Sequence, residues 1–134
     1  MKNTSSDGRG IKFVFPEDCG NSPKKRFLIE FIIAIAKKDI EFIADSVTDH
    51  IHWQLVGNTT IIGKDKLADK LKKDFIWKIV EIEVLDIITH GKSGAVNGTF
   101  KIEDGRQYAF CNVYNFVSAG KSIVKKIATY IIEL

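Results

Sequence analysis

The 134-residue sequence contains little cysteine, little proline and no long hydrophobic run. Its two cysteines, Cys19 and Cys111, are too few for a disulfide framework or a zinc site, so we expect a cytoplasmic protein. The longest apolar run, Ile29–Ala36, is interrupted by Glu30 and is far shorter than the ~20 residues of a membrane helix. The polar start of the chain, residues 1–10, lacks the apolar segment that is typical of a secretory signal.

The charge balance gives little support to a nucleic-acid partner. Twenty Lys plus Arg and seventeen Asp plus Glu leave a net charge of +3. A nucleic-acid surface needs a dense basic face beside stacking aromatic rings, whereas acidic residues interrupt the lysines of 64–73. We interpret these lysines as solvated surface and expect neither a nucleic acid nor a membrane as partner.

The first part of the chain, residues 1–20, is predicted to be an N-terminal tail or docking segment. Residues 1 to about 10 are rich in Ser, Asn and Gly and predict a loose tail, while Ile11–Phe15 is a short apolar stretch that can dock. Ser22 as N-cap and Pro23 at the first helical position then predict the start of a long helix. Its apolar residues recur at helical spacing.

The remaining residues, 21–134, predict a single α+β domain. Asp39 caps a second short helix, residues 50–56 alternate like a strand, and a third helix runs from Lys64 to about Asp74. Long strands follow at 76–89, 95–102, 107–117 and 122–132, with a loop predicted at 90–94. Such strands must twist, so we expect a curved mixed or antiparallel sheet to wrap around the first helix and to leave a cavity between them.

Three stretches of the sequence resemble a known family. They are AIAKKDIEFIADSVTDHIHWQLVG, IIGKDKLADKL and DGRQYAFCNVYNFVSAGKSIVKKIATYIIE. In order and spacing they resemble the nuclear transport factor 2-like superfamily, most closely its SnoaL-like and ketosteroid-isomerase-like members. The resemblance covers residues 24–134 and implies a cone-shaped α+β barrel with an internal pocket, usually a homodimer through the sheet. Members include isomerases, polyketide cyclases, epoxide hydrolases and domains without known activity, so the fold does not define the chemistry.

The resemblance also bears on catalysis. It places the catalytic aspartate of ketosteroid isomerases at Gln54 and a second pocket acid at Asn112, and an amide cannot shuttle a proton at neutral pH. The position that corresponds to a carboxylate in limonene-epoxide-hydrolase-like members is Thr129. We therefore assign no catalytic residue and no cofactor, and we expect the domain to bind a small, mostly apolar ligand.

Asn112 is the most informative polar residue because it interrupts an aromatic row. Alternation along the strand places it on one face with Tyr108, Phe110, Tyr114 and Phe116. A buried amide without a partner costs about 1–3 kcal/mol, so Asn112 binds either a ligand or a neighbouring group of the protein.

The first strand leaves open which of its faces lines the pocket. His50, His52 and Gln54 alternate with Ile51, Trp53 and Leu55. The isomerase comparison favours Gln54 inward, whereas hydrophobicity favours Trp53 inward. The His-x-His pair has no identifiable third ligand, so no metal site is predicted.

The predicted ligand-binding residues combine these candidates: Gln54, Asn112, Trp53, His52, Tyr114, Phe110 and Tyr130. Glu81 and Glu83, grouped by alternation with Trp77 and Ile79, are interpreted as an exposed strand face, and Cys111 as a buried or interface thiol. Two alternatives to ligand binding stay open. The first is a SnoaL-like enzyme of isomerase, cyclase or hydratase type acting on a small apolar substrate, and the second is a dimerisation module whose pocket is filled by its own side chains.

Overall fold

The computed structural model describes residues 2–6, 10–17, 22–73 and 78–134, with backbone alone for the first of these ranges. The helices are α1 (Pro23–Lys37), α2 (Ile40–Asp45) and α3 (Lys64–Lys73). The strands are β1 (Lys2–Ser6), β2 (Lys12–Pro16), β3 (Val47–Leu55), β4 (Thr60–Ile62), β5 (Ile79–His90), β6 (Ser93–Ile102), β7 (Gln107–Ser118) and β8 (Lys121–Glu133).

All eight strands belong to one mixed sheet of order β1-β2-β5-β6-β7-β8-β3-β4. The long strands β5 to β8 pair antiparallel as a meander, and the parallel pairs are β2 with β5 and β3 with β8. The sheet curves around α1 as a cone, which confirms the predicted α+β fold. Helix α1 therefore faces the inner side of the sheet, and the other side is the outer face.

Helix α1 is specified by its ends and by its apolar stripe. The Ser22 side chain accepts a hydrogen bond from the Lys25 backbone N–H, and Pro23 occupies the first turn, where a missing N–H costs nothing. At the other end Lys38 adopts a left-handed conformation at φ 58° and its N–H caps the carbonyls of Ala34 and Ile35. The helix thus begins where the sequence predicts.

Aromatic rings join α1 to the inner face of the sheet. Phe31 is fully buried, and its ring lies 5.8 Å from Tyr114, edge to face, and 6.0 Å from Trp53. One turn earlier, Phe27 meets Phe116 at 5.9 Å. Offset and edge-to-face pairs of this kind add about 0.5–1.5 kcal/mol each beyond the burial of their surface. The helix is therefore held against the sheet at defined points.

The sheet bends at a register shift in β5. The shift falls between Val84 and Asp86, where the Asn97 side chain accepts a hydrogen bond of 3.0 Å from the Asp86 N–H. The opposing residue on β6 is Gly98, and a Cβ at this position would overlap the carbonyl oxygen of Glu83. The close approach of the two backbones therefore requires glycine.

Three local features differ from the sequence prediction. Residues Lys2–Ser6 pair with β2 as a strand, where their composition predicted a loose tail. The predicted loop at 90–94 is a short turn at Gly91 and Lys92, because β5 and β6 stay paired up to His90 and Ser93. A register shift after Ile79 turns this residue into the core, away from the face of Glu81 and Glu83. Cys19 and Trp77 lie outside the described residues.

The bend yields a first prediction, Gly98→Ala. The added Cβ forces β5 and β6 apart, so we expect the free energy of unfolding to fall by about 2 kcal/mol. Urea denaturation measures it. The matched control is Gly120→Ala, whose Cβ meets open space, and it should stay within about 0.5 kcal/mol of the unmodified protein. Equal stability of the two variants would contradict the close approach.

Candidate functional site

The two faces of β3 differ in burial. Trp53 is 5% exposed and packs in the core, whereas His52 and Gln54 are exposed on the outer face. Pairing with β8 sets this orientation, because Trp53 lies beside Ile127 and Gln54 beside Ala128. Trp53 therefore faces inward, as its hydrophobicity favoured. Gln54, which the resemblance aligns with the isomerase aspartate, points away from the interior.

The inward row of β7 matches the alternation of the sequence. Tyr108, Phe110, Asn112, Tyr114 and Phe116 are all buried, and Asn112 is 4% exposed. The intervening residues face outward. The amide of Asn112 thus lies in an aromatic wall, where its polar atoms need partners.

The partners come from three strands and form a buried polar chain. The Trp53 Nε1–H donates to the Thr129 hydroxyl at 2.8 Å, and that hydroxyl donates to Asn112 Oδ1 at 2.8 Å. Asn112 Nδ2 donates to the Tyr114 hydroxyl at 3.0 Å. Asn112 lies opposite Thr129 on β8, and Thr129 lies opposite Leu55 on β3. This register places the side chains of the polar chain within hydrogen-bonding distance of one another.

The polar chain satisfies its own hydrogen-bonding groups. No buried side-chain nitrogen or oxygen of the described residues is without a partner. Burial raises the pKa of Tyr114 above its ordinary value of 10.0, and the hydrogen bond from Asn112 opposes this only in part. Its hydroxyl is therefore neutral near pH 7, and the chain of indole, hydroxyl and amide groups holds no charge.

Two hollows among the described residues lie away from Asn112. One, of about 130 Å³, is on the outer face between Glu81, Glu83 and Lys101. The other, of about 370 Å³, lies between the start of α1 and the turns at Gly91 and Gly120. Neither includes a member of the polar chain.

The second hollow is bordered by the ammonium group of Lys24, which is bound to backbone carbonyl oxygens of the same chain. Lys24 Nζ donates to the carbonyl oxygens of Ser118, Ala119 and Lys121, and it lies 4.8 Å from the centre of the Phe116 ring. These contacts fasten the first turn of α1 to the β7–β8 turn. The Lys24 side chain therefore has a structural role, holding α1 against this turn.

The predicted site residues divide between the two sides of the sheet. Trp53, Asn112 and Tyr114 meet in the polar chain, and Phe110, 7% exposed, is the next inward residue of β7. His52, Gln54 and Tyr130 are on the outer face. The prediction did not join Thr129 to Asn112. The available signal was that Thr129 is a single polar residue among the inward positions Val124, Ile127 and Ile131.

The outer face carries an apolar patch across its central strands. A row of neighbours runs from Ile88 through Ala95 and Val113 to Ala128. Tyr130 and Ile132 continue it along β8, beside Cys111 and Ala109. Cys111 is a half-buried free thiol here. We call the six residues Ile88, Ala95, Val113, Ala128, Tyr130 and Ile132 the outer patch.

Neither a metal centre nor a membrane-spanning helix is found among the described residues. No group of three or more His, Cys, Asp and Glu side chains in the described ranges is placed to hold a metal ion. No helix among them is both long and apolar enough to span a membrane.

The comparisons with known proteins agree with this architecture. A curved mixed sheet around a long helix defines the nuclear transport factor 2-like fold, and the chain has that fold. It is similar to a proposed ketosteroid isomerase from Kribbella flavida, with 12% identity, a TM-score of 0.70, and 83% of this chain and 78% of that one covered. A nuclear transport factor 2-like protein of unknown function from Burkholderia xenovorans matches at 18% identity and a TM-score of 0.70, with coverages of 83% and 84%.

An LEH-like epoxide hydrolase from M. tuberculosis is also similar, at 18% identity and a TM-score of 0.65, with 80% of each chain covered. No family model matches the sequence. No curated protein matches it either. The likeness thus concerns the fold.

The polar chain yields a second prediction, Thr129→Val. The substitution keeps the volume but leaves the Trp53 N–H and the Asn112 carbonyl without their partner, so we expect the free energy of unfolding to fall by about 2 kcal/mol or more. Thr129→Ser is the control, because it keeps the hydroxyl and removes one methyl group, at about 1 kcal/mol. Denaturant titration monitored by Trp fluorescence measures both. A smaller loss for Val than for Ser would show that the hydroxyl is unimportant.

Proposed function

We propose that this chain is a dimerisation module that pairs with a second copy through the outer patch. The observation that carries the proposal is the contrast between the faces of the sheet. The inner face is covered by α1 and its polar groups bind one another, while the outer face exposes contiguous apolar side chains. Among the alternatives derived from the sequence, this contrast favours the module whose interior is filled by its own side chains.

The composition of the outer patch supports a protein partner. Ile88 is 63% exposed, Ile132 68%, Tyr130 47% and Val113 37%. Contiguous apolar surface of this kind is rare on monomers and typical of interfaces. Alanines at 95, 109 and 128 keep the surface between these side chains low, so that a second sheet can approach closely.

Charges at opposite corners of the outer face support a second copy as the partner. Glu83 and Asp86 on β5 lie at one corner, and Lys126 on β8 lies diagonally across the outer patch. A two-fold axis through the patch, perpendicular to this diagonal, stacks the acidic corner of each copy on the basic corner of the other. An interface of this type is self-complementary, as a two-fold dimer requires.

The third prediction tests the patch with Val113→Lys. At the centre of a two-fold interface each introduced ammonium group loses water and faces a like charge, so we expect the dimer dissociation constant to rise by about 100-fold, or ~3 kcal/mol. Sedimentation velocity over a concentration series measures it. The control is Ala119→Lys, which introduces the same side chain in the exposed turn between β7 and β8, away from the outer patch. A monomeric unmodified protein, or equal effects of both changes, would overturn the proposal.

A small, mostly apolar ligand is the second candidate function. It is favoured by the position of Asn112, Thr129, Tyr114 and Trp53, which gather donors and acceptors on one inner wall. These groups bind one another, so a ligand with a polar handle must exchange with one of these hydrogen bonds. An enzyme of the isomerase, cyclase or hydratase type finds less support, because the polar chain carries no charged acid or base near neutral pH.

The fourth prediction separates the two candidates. If the inner wall binds a ligand, apolar carboxylates, sterols or polyketides should raise the melting temperature of the unmodified protein by mass action. The rise should be absent from Asn112→Leu, which removes the amide, and present in Val113→Lys, which changes only the outer face. No rise with any of these probes would exclude the tested ligand classes and leave the dimerisation module as the proposed function.

A further inference from the structure

Three basic segments of the chain meet at the end of the sheet where α1 begins. They are residues 22–26 at the start of α1, 89–93 around the β5–β6 turn and 118–122 around the β7–β8 turn. Together they contain five Lys and Arg residues, one His and no Asp or Glu. Over the whole sequence, by contrast, twenty basic residues stand against seventeen acidic ones. This end of the molecule is therefore a local concentration of positive charge.

Hydrogen bonds hold the three segments together. Lys24 Nζ lies 3.3 Å from the Ser118 carbonyl oxygen and 3.1 Å from that of Lys121. The Phe116 N–H, near the end of β7, donates to the Lys92 carbonyl oxygen at 2.8 Å. Within the described ranges, the Lys24 ammonium contacts carbonyl oxygens and the Phe116 ring, none of which has a net charge. Its positive charge is therefore kept beside the second hollow.

The segments border that hollow of about 370 Å³. Its volume lies within the range of small-molecule sites, about 300–1,000 Å³. Among the residues that line it, Ser22, Thr89 and Ser122 carry hydroxyl groups, His90 an imidazole and Lys24 an ammonium group. The three hydroxyl residues are half-buried, so their side chains stay partly accessible. None of the described residues that line the hollow is acidic.

We propose that this hollow binds the phosphate group of a small ligand, either inorganic phosphate or a small phosphate monoester. Such a group carries about −1.5 to −2 charges at pH 7 and accepts hydrogen bonds on several oxygens. The lysines supply the opposite charge and the hydroxyl groups supply donors, from segments held in place by strand pairing and by Lys24. Pro23 and Ala119 add apolar surface for the organic part of an ester.

A phosphate group matches the hollow better than the other anionic partners. A carboxylate has a single charge and two oxygens, fewer than the cationic and hydroxyl groups that three segments supply. A nucleic acid needs aromatic rings for its bases, and Phe116, whose ring lies beside Lys24, is fully buried and cannot stack on a base. No residue of the outer patch lines the hollow, so the proposal does not depend on dimerisation.

The experiment titrates the unmodified chain with inorganic phosphate, glycerol phosphate and ribose phosphate, followed by two-dimensional amide NMR. We expect the amide signals of Gly91, Gly120 and Ser122 to shift along one saturable curve, with a Kd of about 1 mM or lower. The Gly105 signal, from the β6–β7 turn at the opposite end of the sheet, should not move. Glycerol, ribose and acetate, which lack the phosphate, should bind at least about tenfold more weakly. Tighter binding of the esters than of inorganic phosphate identifies an ester as the ligand, and the reverse identifies free phosphate.

A matched pair of variants separates the hollow from general surface charge. Ser122→Asp places a carboxylate in the lining, where it repels the phosphate group and replaces a donor, so we expect the Kd to rise at least about tenfold. Ser93→Asp makes the same change at an exposed residue that does not line the hollow, and it should alter the Kd by less than about threefold. Far-UV circular dichroism checks that both variants fold. If Ser122→Asp does not fold, Lys121→Glu in the exposed turn takes its place, with Lys66→Glu on α3 as its control.

Four outcomes would overturn the phosphate site. The first is the absence of saturable shifts with all three phosphate probes. The second is an equal effect of Ser122→Asp and Ser93→Asp, because binding would then report net charge alone. The third is binding of acetate as tight as that of the phosphate probes. The fourth is a shift of the same amide signals by a short DNA duplex without any shift by the small phosphates, because the partner would then be a nucleic acid.

Discussion

The burial of helix α1 against a curved sheet is the constraint on which the other features depend. A long helix with apolar residues around most of its circumference must be covered on several sides, and a flat sheet covers only one. The bend at Gly98 lets the sheet curve around the helix, and the aromatic contacts of Phe31 hold the helix against it. Because the helix fills the concave side, the remaining apolar surface of the central strands is on the outer face. The dimerisation proposal follows from that asymmetry.

The polar chain from Trp53 to Tyr114 shows how such a core holds neutral polar groups. Two of the three hydrogen bonds join residues on paired strands, and the third joins Asn112 to Tyr114, two residues apart on β7. In a low-dielectric interior, a fully satisfied chain is rigid and specific, while one missing partner is costly.

Much of the fold was predictable because it depends on local signals. Ser22 and Pro23 start α1, Asp39 caps α2, and strict alternation gives the inward row around Asn112. The site was predictable only in part. Trp53, Asn112 and Tyr114 were identified singly, but their connection through Thr129 needs the register between β7, β8 and β3. The strand at Lys2–Ser6 was missed because its pairing with β2 outweighs a composition typical of a tail.

The sequence by itself determined the order of helices and strands from α1 onward, the starts of α1 and α2, and which residues of each regular strand share a face. These properties depend on neighbours within a few positions, through capping, turn geometry and side-chain alternation. Only the tertiary structure decided that Trp53 faces inward while Gln54 faces outward, that Ile79 turns into the core, and that the amide of Asn112 is already bound. Each of these depends on how distant strands align, and a shift of one residue in register exchanges the faces of a strand.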